Sequence, residues 1–423
     1  MSLTLKNCRV YDVDSGQLGE LTSIKVVGAH IESVGGRGLE DPPATALGPE
    51  LRGSAHAHSG ESPTLIDLAG GVVMPGLIDA HVHLVAGTAD LSGLRLWSPS
   101  YAALHARIRM ESSLRAGFTR VRDVGGADWG LARAAHEHLV ASPAVHYGGL
   151  ALSQTGGHGD MRLVGEDCDC TSTPGISRVV NGVDDLRVVV REQVRLGASH
   201  IKLMLSGGVA SPTDRMDRSQ YSEPEIKAVV DEAQRAGIYV AGHCYTSEAI
   251  SRAVKCGVRS IEHGNRADNA TLDLMANSET FLVPTLSTYY YLGRNGQNVD
   301  LPASSLAKLG GIFEDGLDCI ARAVAAGVKV AFGTDLIGPL HAYQSQEFAI
   351  RGTVLPMAEV IRSATVVNAE LLGIETEVGR VLPGYRADLI AIDGDPSKHP
   401  SPLADPDDHL RLVIRDGNVV FSR

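Results

Sequence analysis

Aromatic residues are scarce in this chain: 4% of 423 residues, with six phenylalanines and two tryptophans. So few rings argue against a large stacking pocket and for a core packed by Val, Ile, Leu and Ala, while 47 glycines point to many tight connections. A basic excess is also missing. Lys and Arg number 38 against 50 Asp and Glu, a formal net charge of −12, so neither nucleic acid nor an anionic membrane is an expected partner. No apolar run approaches the ~20 residues that span a bilayer. The opening MSLTLKNCRVYDVDSG lacks both the basic and the apolar region of a secretory leader. There is no CxxC pair either; of six scattered cysteines only Cys168 and Cys170 sit close together. Scattered thiols in a long chain fit a reducing compartment, so the cytoplasm is expected.

What is present is an alternation of short apolar runs with longer amphipathic stretches from residue 71 onward, the pattern of βα units. The runs fall at 71–83, 118–125, 144–153, 199–208, 238–245, 258–264, 280–287 and 328–335. Eight is the number that closes a (β/α)8 barrel. Between them, SEPEIKAVVDEAQRAG carries Ser222 as N-cap, Pro224 in the first turn, Glu225 at the capping-box position and Gly237 as the stop. SEAISRAVKCG ends similarly at Gly257. Both chain ends read as alternating strands, with a turn at Asp416-Gly417. The expected fold class is therefore α/β: a (β/α)8 TIM-like barrel over 71–371, with 1–70 and 372–423 pairing into a small sheet domain. Residues 40–63 read as an irregular loop; His56 and His58 lie in it without a strand to hold them.

PGLIDAHVHL raises the functional question. Residues i and i+2 of a strand share a face, so His81 and His83 converge. Lys202, His243, His263 and Asp335 also fall on expected strands or their ends, where barrel active sites gather. A single histidine at a strand end is an ordinary structural residue; four with an aspartate on one rim form a metal-binding set, suited to Zn but open to Mn, Fe or Co. Lys202 leaves four readings open: a side chain reaching solvent, a Schiff-base amine, an ion-paired cation, or an amine carboxylated by CO2. The last balances charge. Two divalent ions bring four positive charges, and a lysine carbamate, Asp335 and a hydroxide bring three negative ones.

PGLIDAHVHL, IKLMLSGG, GHCY, IEHG and FGTD resemble, in order, the metal-binding motifs of the amidohydrolase superfamily. NAELLGIETEVGRVLPGYRADLIAID resembles the return of such chains into a β-sandwich domain built from both termini. The resemblance implies the binuclear subtype with a bridging, N6-carboxylated Lys202. One metal takes His81, His83, Lys202 and Asp335; the other takes Lys202, His243 and His263. Asp335 also holds the attacking water, accepts its proton and delivers it to the leaving amine.

QTGGHGD (154–160) and SGGVASPTDRMDRSQYSEPEI (206–226) are similar to stretches of the bacterial prolidase and Xaa-Arg/Lys carboxypeptidase group. By that resemblance His158 and Tyr221 donate to the scissile carbonyl oxygen, and Gly207, Gly208 and Val209 offer backbone groups to a substrate carboxylate. The implied activity is hydrolysis of a dipeptide or N-acyl amino acid. The rivals are a cyclic amide of imidazolone type, a bulky aromatic amide such as a mycotoxin-like N-acyl phenylalanine, and a non-catalytic scaffold. A small-molecule partner and a homo-oligomer are expected. Arg122, Asp123 and Asp160 read as supporting groups, Cys244 as a core thiol facing away from His243, and the Tyr289–Tyr291 cluster as either pocket wall or packing.

Overall fold

The computed structural model describes residues 2–35, 64–163, 165–166, 174–211, 214–299 and 301–423. The 40–63 stretch with His56 and His58, and the pair Cys168 and Cys170, lie outside the described residues. The rest is α/β with parallel sheets. Six strands run in the order Ser177–Val179, Ala151–Ser153, His200–Met204, Tyr239–Thr246, Ser260–Arg266 and Phe281–Val283. Leu77–Val82, Phe118–Asp123 and Ala144–Tyr147 form a second parallel sheet.

The 328–335 run differs from expectation. It makes a single parallel bridge, Leu282 to Val330, yet it hydrogen-bonds to both sheets. Ala331 N donates to Leu282 O at 2.8 Å, and Ala80 N donates to Phe332 O at 2.8 Å. Ser177–Val179 is a strand that the sequence pattern did not reveal.

The run at 71–83 also divides. Val72–Pro75 joins the sheet of the termini and Leu77–Val82 enters the parallel one, with Gly76 between them. A Cβ at Gly76 would lie 2.3 Å from Thr119 Oγ1, so only glycine lets the chain pass there.

The termini pair with one another through an eight-stranded sheet, in which Ser2–Asp12 lies beside Val72–Pro75 and Val72–Pro75 beside Leu389–Ile392. It is one bonded sheet where a sandwich predicts two. Ser2–Asp12 ties it together: its register against Gln17–Val27 shifts at Leu5/Cys8 and Arg9/Tyr11, while its Leu3–Lys6 part pairs with Thr64–Asp67 and its Arg9–Val10 part with Val72–Val73. Asp416 and Gly417 both take positive φ at the tight turn between Leu410–Arg415 and Asn418–Ser422, as a two-residue hairpin requires.

Helices cover the parallel strands. Glu223–Arg235 begins as its sequence predicts: Ser222 N donates to Glu225 Oε2 at 2.8 Å, and the chain leaves at Gly237 with φ +73°. Its Ile226, Val229 and Ala233 face join the largest apolar cluster, with Ile201, Leu203, Val240 and Ile261 from the strands. Cys244 packs in that same cluster. Among the described residues no helix is long and apolar enough to cross a membrane.

Candidate metal centre and active site

The parallel register carries the candidate ligands to one level. Met204 pairs with His243, and Cys244 with His263. His81 sits in Leu77–Val82 and His83 one residue beyond it, and Asp335 N donates to His81 O at 2.8 Å. As a result His81, His83, Lys202, His243, His263 and Asp335 all line one cavity.

His81 Nε2 and His83 Nε2 each lie 3.4 Å from Asp335 Oδ1. Donor atoms of His81, His263 and Asp335 fall within 4.8 Å of one another. Metal–ligand bonds of ~2.1 Å at tetrahedral angles separate donor atoms by roughly 3.4 Å, so the spacing and chemistry of this donor set fit a divalent ion. The remaining ring nitrogens are fixed from behind. His81 Nδ1 lies 2.7 Å from Glu262 Oε2, and His83 Nδ1 2.7 Å from Gly125 O. His263 Nδ1 lies 2.8 Å from Thr285 Oγ1 and 2.7 Å from the Tyr289 hydroxyl. Such partners leave Nε2 as the ligating atom. His243 is the reverse case: its Nε2 sits 3.3 Å from Gly207 O, so Nδ1 is the nitrogen left over.

Two of these residues are held in strained backbone. His263 has φ +73° and Asp335 φ +52°, a region that side chains with a Cβ rarely occupy. Strain of this kind persists only where the surroundings enforce it, and it concentrates at functional sites.

The electrostatics follow from burial. Desolvation pushes Lys202 down, and the charges of Glu262 and Asp335 only partly restore it, to about 8. Burial also holds His243 and His263 well below the usual imidazole range, keeping them neutral. Asp335 is pushed up by burial, but the His81 and His83 side chains outweigh this and hold it well below its ordinary value. Lys202 is 2% exposed, which removes the reading of it as a side chain reaching solvent. No carboxylate lies within ion-pair distance of its amine among the described residues, which removes the salt-bridged reading.

Other predicted residues fare differently. His158 lines the cavity, its ring stacked on His243 at 4.2 Å between centroids. Tyr221 does not: its side chain packs in the large apolar cluster and its hydroxyl donates to Val180 O at 2.9 Å. The expectation carried over for Tyr221 by resemblance is therefore not met by its geometry: the turn just before the helix sends its side chain into the core. The N–H groups of Gly207 and Gly208 are also engaged elsewhere, donating to Arg218 O at 2.9 Å and Asp214 Oδ2 at 3.0 Å, so they are not free for a substrate carboxylate. These glycines have a steric task instead. A Cβ on Gly208 would lie 2.3 Å from His158 Cε1, and one on Gly207 2.0 Å from Arg215 O. Val209 lines the cavity wall.

Asp123 accepts from the N–H groups of Leu84, Gly125 and Ala127 at 2.7–3.0 Å. Asp160 accepts from Gly156 N at 2.9 Å and pairs with Arg162. Both organise loops. Arg122 pairs with Glu262 at 2.8 Å, both fully buried, and so stands behind His81. Of the tyrosine cluster, Tyr289 reaches the cavity, while Tyr291 stacks on Tyr343 at 3.9 Å.

Tyr245 and Glu262 escaped the sequence reading. Tyr245 lines the cavity, and its hydroxyl lies 2.6 Å from that of Tyr289. The signal was present: in GHCYT, Tyr245 is two residues past His243 on the same strand face. Glu262 offered no such signal, because its neighbour His263 drew the attention. The rest of the cavity wall is mainly apolar, with Leu91, Ile176, Met204, Leu292, Leu301 and Ile337.

Known proteins share this arrangement of the chain. A prolidase crystallised with N-methylphosphonate-L-proline is 40% identical and superposes with a TM-score of 0.94 over 100% of both chains. A Xaa-Pro dipeptidase with methionine bound in its active site is 29% identical, with a TM-score of 0.85, again over 100% of both chains. Ochratoxinase of Aspergillus niger is 35% identical over 345 residues, 77% of this chain and 71% of its own. The model of the amidohydrolase family matches residues 72–420. The chain belongs to the amidohydrolase family.

Proposed function

We propose that the protein is a metal-dependent hydrolase that cleaves the amide bond of a dipeptide or N-acyl amino acid, in the manner of a Xaa-Pro dipeptidase or a carboxypeptidase. One observation carries this reading: five imidazoles, one carboxylate and one buried lysine converge on a cavity whose other walls are mainly apolar. Its likeness to a prolidase and a Xaa-Pro dipeptidase over their full lengths supports the substrate class. On the same reading the parallel strands form a closed (β/α)8 barrel, supported by the hydrogen bonds of 328–335 to both sheets. The pairing of the two termini supports a second domain of 1–70 and 372–423.

Two divalent ions, Zn in the first instance, would be held by His81, His83, Lys202 and Asp335 on one side and by Lys202, His243 and His263 on the other, with Lys202 carboxylated at Nζ. When bound, such ions polarise the scissile carbonyl and acidify water. Asp335, kept ionised at neutral pH by the imidazoles beside it, takes the proton of the attacking water on its carboxylate and passes it to the leaving nitrogen. Tyr245 and His158, two of the polar wall groups outside the ligand set, orient the acyl group, and the apolar wall takes up its side chain. The free buried thiols of Cys8, Cys244, Cys256 and Cys319 support a cytoplasmic place, with a small-molecule substrate and self-association of the chain as the expected partnerships.

A second reading, a bulky aromatic amide, is favoured by the relative whose name gives ochratoxin as what it acts on. A panel of Xaa-Pro dipeptides, N-acyl amino acids and aromatic amides, assayed before and after dialysis against chelator, separates the two. Activity should vanish with the metal and return on adding Zn. Turnover that survives complete metal removal rejects the proposal.

A further inference from the structure

Lys308 lies about a hundred residues from the loop that it touches. Its amine donates to Gly208 O at 3.0 Å, to Ser211 O at 2.8 Å and to Asp214 Oδ1 at 3.1 Å. An ammonium has three protons, and all three are directed at one loop. Asp214 in turn accepts from Gly208 N at 3.0 Å and Gln220 Nε2 at 3.2 Å. The Ser211 hydroxyl donates to Asp214 Oδ1 and lies 2.9 Å from His158 Nδ1.

Proton inventory fixes the direction of this chain. Asp214 and the Gly208 carbonyl, 3.3 Å from Ser211 Oγ, both only accept, so the single hydroxyl proton of Ser211 goes to them and Ser211 Oγ accepts from His158 Nδ1–H. The tautomer of His158 is thereby set from outside the cavity, with the proton on Nδ1 and Nε2 turned to the substrate side as an acceptor, suited to a substrate N–H and not to the carbonyl-donor role that the resemblance implies. The ring is also hemmed in: His243 stacks on it at 4.2 Å, and Gly208 comes so near that a Cβ there would lie 2.3 Å from His158 Cε1.

The geometry points to Lys308, Asp214 and Ser211 as a chain of positioning residues for His158, with Lys308 strapping the loop after the fourth expected strand to the segment after the seventh. This deepens the hydrolase reading and rests on it for the role of His158. The orientation itself does not depend on that reading. None of the three residues lines the cavity, so their effect passes through His158.

The test uses the metal-loaded full chain and the best amide substrate of the panel above. Lys308→Met and Ser211→Ala should each lower kcat by ~10–100-fold, the range seen when supporting partners of a site are removed, with KM and bound metal changed by less than threefold. Ser211→Thr, which keeps the hydroxyl, should restore most of the rate. Independently of any turnover, 15N-histidine spectra should assign the Nδ1–H tautomer to His158 in the wild type and lose it in Ser211→Ala. A wild-type Nε2–H tautomer, or a Ser211→Ala variant with unchanged kcat, overturns the proposal. Should Lys308→Met fail to fold, the serine pair and the spectra still decide. Should no amide be hydrolysed, the spectra alone decide, and only the hydrolase reading fails.

Discussion

The carboxylation proposed for Lys202 has a physical requirement. An amine must be unprotonated to add to CO2, and burial that lowers Lys202 to about 8 enlarges that fraction near neutral pH. A carbamate there would moreover put an anion among the proposed ligands and relieve the cost of a bare ammonium in a buried site. Lys202→Ala should therefore reduce bound metal below two equivalents per chain in elemental analysis. Two full equivalents in that variant would contradict a bridging role. Of the candidate ligands, His81, Lys202, His243 and His263 fall on strands, with His83 just past one and Asp335 at the end of an apolar run, so strand ends and the resemblance of their motifs made them legible in the sequence. Tyr221 came from the resemblance of its loop alone, and no local pattern tells that its hydroxyl turns to Val180 O and away from the cavity. Backbone donors are subtler still: the N–H groups of Gly207 and Gly208 are taken by Arg218 O and Asp214 Oδ2, partners that no local pattern in the sequence marks.

At the scale of strands, the Glu262–Arg122 pair joins Ser260–Arg266 to Phe118–Asp123 across the interior, with both side chains at 0% exposure. Burial pushes Glu262 up, yet Arg122 and His81 hold it well below its ordinary value. Removing its charge strands a buried guanidinium, a loss of about 3–5 kcal/mol in comparable pairs. Glu262→Gln should lower the denaturant midpoint accordingly, and a midpoint equal to wild type would show that the pair is not structural. Apolar runs betray strands that are covered on both faces, which is why most of the parallel strands could be read directly. They do not betray a strand as short as Ser177–Val179. Nor do they say that the run at 328–335 makes only one bridge, because both outcomes leave the same apolar pattern.

For the molecule as a whole, acid sensitivity follows from histidines that fold in neutral form. His341 is 3% exposed, and neither of its ring nitrogens has a partner among the described residues. Burial, with Arg109 nearby, lowers it to about 3. As pH falls below ~6.5 the unfolded chain takes up a proton that the folded one refuses, so stability drops by about 1.4 kcal/mol per pH unit from this residue alone. In His341→Phe the difference in unfolding free energy between pH 7 and pH 5 should shrink by roughly 2 kcal/mol. A difference as large as that of wild type would assign the acid sensitivity to other groups.

The sheet of the termini has a bearing on chemistry performed far from it. Val72–Pro75 is clasped between Ser2–Asp12 and Leu389–Ile392, and only Gly76 separates it from the strand that carries His81. A slip of one residue there would rotate the two imidazoles of AHVHL to the opposite side. The two ends of the polypeptide thus act as a jig that sets the phase of the first metal-binding strand, and fraying of either end would be felt as a weakened grip on the ion before any general loss of structure.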